Sequence, residues 1–254
     1  MHIAVILRLI PDLSEELELD ASGKDIDREW IGVKLCEFDD HALEEAVLLK
    51  ERSGARVTAI ALAGEGIDRQ LQTAVARGAD VAVRIDHELV SANDSRGAAQ
   101  AIAEAVKKLA VDLVFTGIQT PEDVFGQLAP YLAGVLDWPT VNAVSAVSID
   151  GGIVLVKQEY SGGRSATLKL QGPGVLGIQS ASQPPRYVSG TKLRQASATP
   201  IEAIAGGTAA TPRAHIDELS TPQRGQGAAM IPGNADAVAA RIADLLSERG
   251  LIGA

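Results

Sequence analysis

Val111-Asp-Leu-Val-Phe-Thr-Gly-Ile-Gln-Thr-Pro-Glu-Asp-Val-Phe-Gly-Gln-Leu-Ala-Pro-Tyr-Leu-Ala133 decides the fold class. Its first five residues form an apolar, β-branched run that reads as a buried strand. Thr116-Gly117 ends the strand. Pro121 suits the first turn of a helix, and Leu128, Leu132, Val135 and Leu136 repeat at helical spacing. The stretch is therefore a strand–loop–helix unit. Its loop, 117–126, lies beyond the carboxyl end of a strand, where open parallel sheets bind ligands. A helix start there offers free N–H groups and a positive dipole end, which suit a phosphate.

Upstream, the same grammar repeats. A strand is expected over 2–10 and an amphipathic helix over 39–52, with Asp39 or Asp40 as its cap and Gly54 at its end. A strand over 56–62, a helix over 68–77 closed by Gly78, and a strand over 81–85 follow. Asp94 or Ser95 caps a helix that runs to Leu109. This alternation predicts an α/β fold with a doubly wound, mostly parallel sheet.

After Trp138-Pro139 the pattern changes. Runs over 141–149, 153–160, 165–170 and 175–178 read as strands, with turn signals at Asp150-Gly151-Gly152 and Ser161-Gly162-Gly163. An antiparallel extension is expected there. Gln183-Pro184-Pro185 breaks the chain, and 186–196 reads as a short helix or a loop. The stretch 199–232 is rich in Gly, Ala, Thr and Pro without a sustained period. Asn234 then caps a last helix carrying Val238, Ile242, Leu245 and Leu246. Two parts are expected: a nucleotide-binding α/β domain over 1–198 and an extended arm with a terminal helix over 199–254.

Composition excludes several functions. With 254 residues, 46% of them hydrophobic, the chain can bury a large core. No apolar run reaches about 18 residues, so no membrane span is expected. The start lacks a signal peptide's features, and Cys36 is the only cysteine, so a cytoplasmic location without disulfides is expected. A net charge of −10 and 3% aromatic residues argue against nucleic acid as a partner.

No motif marks a catalyst. The four histidines are scattered without metal-ligand spacing, and no G-x-S-x-G is present. Gly172-Pro-Gly-Val-Leu-Gly177 matches G-x-G-x-x-G, yet strands surround it, so a turn is the better reading than a dinucleotide site. Asp39-Asp40 and Glu44-Glu45 read as dipole complementation and solvation at a helix start. Cys36 reads as a quiet, packed thiol. Redox work by such a chain needs a borrowed cofactor.

From end to end the sequence resembles the beta (small) subunit of electron transfer flavoproteins. The resemblance is carried by Ile3-Ala-Val-Ile-Leu-Arg-Leu-Ile-Pro-Asp12, Phe38-Asp-Asp-His-Ala-Leu-Glu-Glu-Ala46 and Leu71-Gln-Thr-Ala-Val-Ala-Arg-Gly-Ala-Asp80. It continues through Gly117-Ile-Gln119, Asp137-Trp-Pro139, Pro173-Gly-Val-Leu176 and Pro185-Arg-Tyr187. Leu35-Cys-Glu-Phe-Asp-Asp40 and Ala229-Met-Ile-Pro resemble the methylotrophic-bacterium branch.

The resemblance implies a heterodimer with an alpha subunit that holds most of one FAD. It implies a structural AMP on this chain and no catalytic residues of its own. The pair would carry electrons from donor dehydrogenases, amine dehydrogenases among them, to a membrane quinone oxidoreductase. Matching positions imply an AMP pocket from Ile6, Cys36, Glu37, Phe38, Asp39 and Leu62. The loop adds Gly117, Ile118, Gln119, Thr120, Pro121, Glu122, Asp123, Val124, Phe125, Gly126, Gln127 and Leu128. Leu13 and Phe38 fall where family members approach the flavin, and residues 190–196 fall on the dehydrogenase recognition loop.

The chain also departs from the family's loop. Three consecutive aspartates and Asn-Gln-Thr-Gly are usual; here those places hold Glu122, Asp123 and Val124, then Gly126, Gln127, Leu128 and Ala129. Two alternatives stay open: a flavin-bifurcating subunit with a second FAD in the same pocket, and a non-redox nucleotide-binding module of the stress-protein type.

Overall fold

The computed structural model describes residues 1–87, 89, 94–123, 125–206, 216–222, 225 and 227–252. The chain divides into two compact units, Met1–Glu218 and Leu219–Ala254. In the first, the order is β1 (His2–Ile6), β2 (Leu9–Pro11), β3 (Val33–Leu35), α1 (Glu37–Ser53), β4 (Arg56–Leu62), α2 (Ile67–Arg77) and β5 (Val81–Asp86). There follow α3 (Ser95–Leu109), β6 (Leu113–Gly117), α4 (Leu128–Leu136), β7 (Thr140–Asp150), β8 (Ile153–Tyr160) and β9 (Arg164–Leu170). The unit closes with β10 (Gly174–Ile178), α5 (Gly190–Ala196) and β11 (Glu202–Ala205). The second unit carries α6 (Ala235–Glu248), capped as expected by Asn234, whose Oδ1 accepts from Ala237 N at 3.0 Å.

Among the described residues, nine strands form one sheet in the order β11-β5-β4-β1-β6-β10-β7-β8-β9. The first seven of that order run parallel; β7–β8 and β8–β9 are antiparallel. Strand alternation divides β1 between two cores. Ile3, Val5 and Leu7 join Leu43, Val47 and Leu71 of α1 and α2, while Ala4 and Ile6 join Ile102, Leu128 and Leu132 of α3 and α4. Helices thus cover both faces, and the expected doubly wound α/β fold is present. From β1 the chain winds out to β4 and β5, then returns to β6 on the other side of β1. The crevice between β1 and β6 is the topological switch point.

Several elements differ from expectation. The strand expected over 2–10 splits at Leu7, because Arg8 N donates to the Asp39 carboxylate at 2.8 Å instead of to a sheet neighbour. Leu9–Pro11 then pairs antiparallel with β3. The helix expected from Pro121 begins at Leu128. Thr120 to Asp123 form a turn instead, in which Asp123 N donates to Thr120 Oγ1 at 2.9 Å. Neither Asp39 nor Asp40 caps α1; Cys36 holds the N-cap place without a side-chain bond.

The last strand of the hairpin region is not antiparallel. β10 inserts between β6 and β7, parallel to both, with Val175 beside Val114 and Leu176 beside Val141. All five of its residues are buried, as a strand needs when it has neighbours on both edges and cover on both faces. Finally, residues 202–205, read as part of an extended arm, add a parallel edge strand, with Ile204 beside Ile85.

Candidate functional site

A cavity of about 490 Å³ opens at the carboxyl ends of β1 and β4, next to the start of the loop that follows β6. Of the residues expected there, Ile6, Leu62, Thr120, Glu122, Asp123 and Leu128 line it. Ile6 and Leu62 end their strands; Leu128 opens α4. The opposite wall is the start of α3, with Asp94, Ser95, Ala98 and Ile102. Asp94 is the N-cap, and its Oδ1 accepts from Gly97 N at 2.9 Å.

The other expected residues stand behind or beside that wall. Cys36 Sγ donates to Gln119 O at 3.3 Å, joining the start of α1 to the loop. Asp39 Oδ1 accepts from Gly117 N at 2.7 Å. A Cβ on Gly117 would come within 2.6 Å of Phe38 Cβ and 2.5 Å of Asp39 Oδ1, so the approach of β6 to α1 requires glycine. Ile118 N donates to Ile178 O at 3.1 Å, tying the loop to β10. Glu37, Gln119, Pro121, Phe125 and Gln127 are exposed, and Phe38 and Gly126 are half-buried. Leu13 is exposed on the excursion between β2 and β3. Val124 lies outside the described residues.

Sequence reasoning missed Arg8 and Arg28. Arg8 follows β1 directly, and both its Nε (2.9 Å) and its Nη2 (2.7 Å) donate to Asp39; Nη2 also donates to Gly117 O at 3.0 Å. Its Nη1 lies 3.9 Å from Asp123. Burial opposes the charge on Arg8, but the Asp39 carboxylate outweighs it and raises the pKa. A cation placed directly after an apolar strand that opens an α/β pattern was the available signal. Arg28 reaches from the excursion to Glu122 and to Asp25.

These pairs bear on whether a nucleotide fits. Acids in the loop would repel a phosphate if they were free, yet Glu122 is paired with Arg28, and Asp123 faces Arg8 and accepts from Gln127 N at 3.1 Å. The N-cap of α4, Gln127, makes no side-chain cap bond. The first-turn amides of buried Leu128 and Ala129 are the donors such a helix start presents to an acceptor. The apolar walls of Ile6, Leu62, Ala98 and Ile102 suit a flat heterocycle. The residues present fit a nucleotide of AMP's size.

Burial first, then the Asp39 carboxylate, pushes the Cys36 thiol up to about 11. It is a packed thiol rather than a nucleophile. The Gly172 to Gly177 motif runs into β10, and no helix follows it before α5, so the strand–turn–helix of a dinucleotide site is not formed. Ser161-Gly162-Gly163 is the turn between β8 and β9.

The electron transfer flavoprotein domain, as a family, matches residues 26–207 of this chain. The chain belongs to the electron transfer flavoprotein family. The electron transfer flavoprotein subunit beta of Methylophilus methylotrophus is 29% identical over 98% of each chain. That of Clostridium acetobutylicum is 31% identical over 76% of this chain and 74% of its own. That of Mus musculus is 28% identical over 82% of each. Electron transport by a flavoprotein is the work of this family. No described helix is long and apolar enough to cross a membrane.

Proposed function

We propose that this chain is the beta subunit of a heterodimeric electron transfer flavoprotein. An alpha subunit holds the FAD, whose ring supplies the redox chemistry. This chain closes part of the flavin's surroundings through Leu13 and Phe38 and keeps AMP in the crevice as a structural ligand. Donor dehydrogenases dock at α5, and electrons leave to a membrane quinone oxidoreductase. The chain carries no catalytic residue of its own and works in the cytoplasm. The single observation behind the reading is the cavity at the carboxyl ends of β1 and β4, walled by six residues of the expected nucleotide set, in a chain that matches beta subunits along its length.

In this reading the protein's own residues bind and orient. The loop amides hold the nucleotide, Arg8 and Asp39 fix the loop to both sides of the switch point, and Arg28 ties the excursion to Glu122. The test is to co-express the chain with its alpha partner, denature the purified complex and identify the released nucleotides by chromatography and mass spectrometry. One FAD and one AMP per heterodimer are expected. A complex without flavin overturns the reading. Two FAD without AMP would instead assign a bifurcating subunit. A lone chain that binds ATP tightly would assign a stress-type nucleotide module.

A further inference from the structure

Outside the crevice, the densest set of buried charges lies along one face of α1. Glu44 is 2% exposed and Glu45 is fully buried. With His41 and Glu51 they recur at helical spacing, so they share a face of the helix. That face is matched, donor by donor, to the segment that leaves β10. Ala181 N donates to His41 Nδ1 at 3.2 Å. Ser182 N and Oγ both donate to Glu45 Oε2 at 2.7 Å. Pro184 and Pro185 have no N–H, so they cannot compete for the acceptors. Arg186 then gives its backbone N–H to Glu44 at 2.9 Å and its Nε to the same carboxylate at 3.0 Å. Its Nη1 and Nη2 donate to Glu51 at 2.6 and 3.1 Å.

Glu44 also faces Arg77 of α2, whose Nη2 lies 3.6 Å away and whose Nη1 donates to Asp40. One buried carboxylate therefore joins α1, α2 and the root of α5. The far end of α5 is fixed to the same helix α2, where Gln72 Nε2 donates to Ser197 O at 2.9 Å. Between the two attachments, Val188 and Ala196 are buried. Tyr187, at 94% exposed, and Leu193 face outward.

We propose that Arg186, held between Glu44 and Glu51, is a positioning residue that sets the orientation of α5 on α2. Its importance for docking rests on the reading above, in which α5 receives the electron donor. A guanidinium suits this place because its planar fork serves two carboxylates at once, which a lysine cannot do. Broken, the root leaves residues 187–197 held by the Gln72 bond and by packing on α2, where Val188 and Ala196 are buried. The remainder of the sheet keeps its own bonds.

The test is hydrogen exchange by mass spectrometry on the full-length protein. In Arg186→Ala, amides over 187–197 should exchange at least tenfold faster, with β1, β4 and β6 unchanged. Arg186→Lys should restore part of the protection, and Glu51→Gln should give a rise of roughly threefold confined to the same residues. Unchanged protection of α5 in Arg186→Ala, or equal loosening of the sheet, overturns the proposal. If Arg186→Ala does not fold, Glu51→Gln decides: no local rise overturns it. No flavin or donor enters this measurement, so its failure is distinct from failure of the electron-transfer reading, which the nucleotide release decides.

Discussion

Helix α1 serves two regions in two ways. At its start, Asp39 stands behind the crevice wall and holds a guanidinium and a loop amide, Arg8 and Gly117. Farther along, Glu44 and Glu45 face away from the crevice and hold the irregular chain beyond β10. Both acid pairs read in the sequence as solvated charges that complement a helix dipole. That reading is corrected: Asp39 and Glu45 are 0% exposed. The difference between the regions lies in what the carboxylate meets. Near the crevice, Asp39 meets one half-buried guanidinium and two backbone amides; toward α5, Glu44 meets the Arg186 guanidinium and one backbone amide, and Glu45 meets the backbone N–H groups of Val147 and Ser182. An acid inside a fold serves as a fixed acceptor wherever the chain departs from regular structure.

The largest effect should follow from breaking the crevice side. Asp39→Ala leaves the half-buried Arg8 without its main partner and should cost about 3 kcal/mol of stability, measured by chemical denaturation. A loss below about 1 kcal/mol would mean that Asp123 or water takes over, and the contrast drawn above would fail. On the other side, Glu45→Ala removes the acceptor of Val147 N, Ser182 N and Ser182 Oγ. An expected loss of about 2–3 kcal/mol, with faster exchange at 147 and 182, would place the two regions close in energy.

Gly117→Ala sharpens the comparison from the backbone side. The added methyl meets Asp39 and Phe38, so α1 and β6 must part, at about 1–3 kcal/mol, and under the proposed function AMP should be lost from the crevice before the fold is. Retention of AMP at wild-type stoichiometry would show that the loop tolerates the shift.

Smaller effects concern protons. The Arg186 hydrogen bonds hold the Glu51 carboxyl below its usual 4.5. A lowered carboxylate pKa stabilises above the unfolded value and fades as pH falls through the folded one. Protection of α5 should therefore stay constant from pH 8 to 5 and fall only below about 4.5, and a loss already complete at pH 6 would contradict the Glu51 pairing. Cys36, pushed to about 11, should react slowly with iodoacetamide at pH 7.5, and the native rate should rise nearly tenfold per pH unit toward 10. Fast labelling at neutral pH would contradict the packed thiol beside Asp39.

Much of this was legible in the sequence because its cause is local. Gly54 and Gly78 end α1 and α2, Asp94 and Asn234 cap α3 and α6, and the apolar periods of β4, β5 and α3 place their faces. Each needs only neighbours within a turn or two. The site was legible in part: the α/β order placed a ligand loop after β6, and the family resemblance added Ile6 and Leu62, while Arg8 and the α3 start went unread.

What the sequence by itself determined is the alternation of strand and helix, both apolar faces, and hence a ligand crevice after β6. Only the tertiary structure decided that β10 lies parallel between β6 and β7, and that Asp39, Glu44 and Glu45 are acceptors rather than solvated charges. The physical reason is distance along the chain. Periodicity and capping act within a few residues, but Arg186 meets Glu44 across 142 positions and Gly117 meets Asp39 across 78. No local pattern records which donor a carboxylate will face; the packed fold settles it by bringing distant donors within reach.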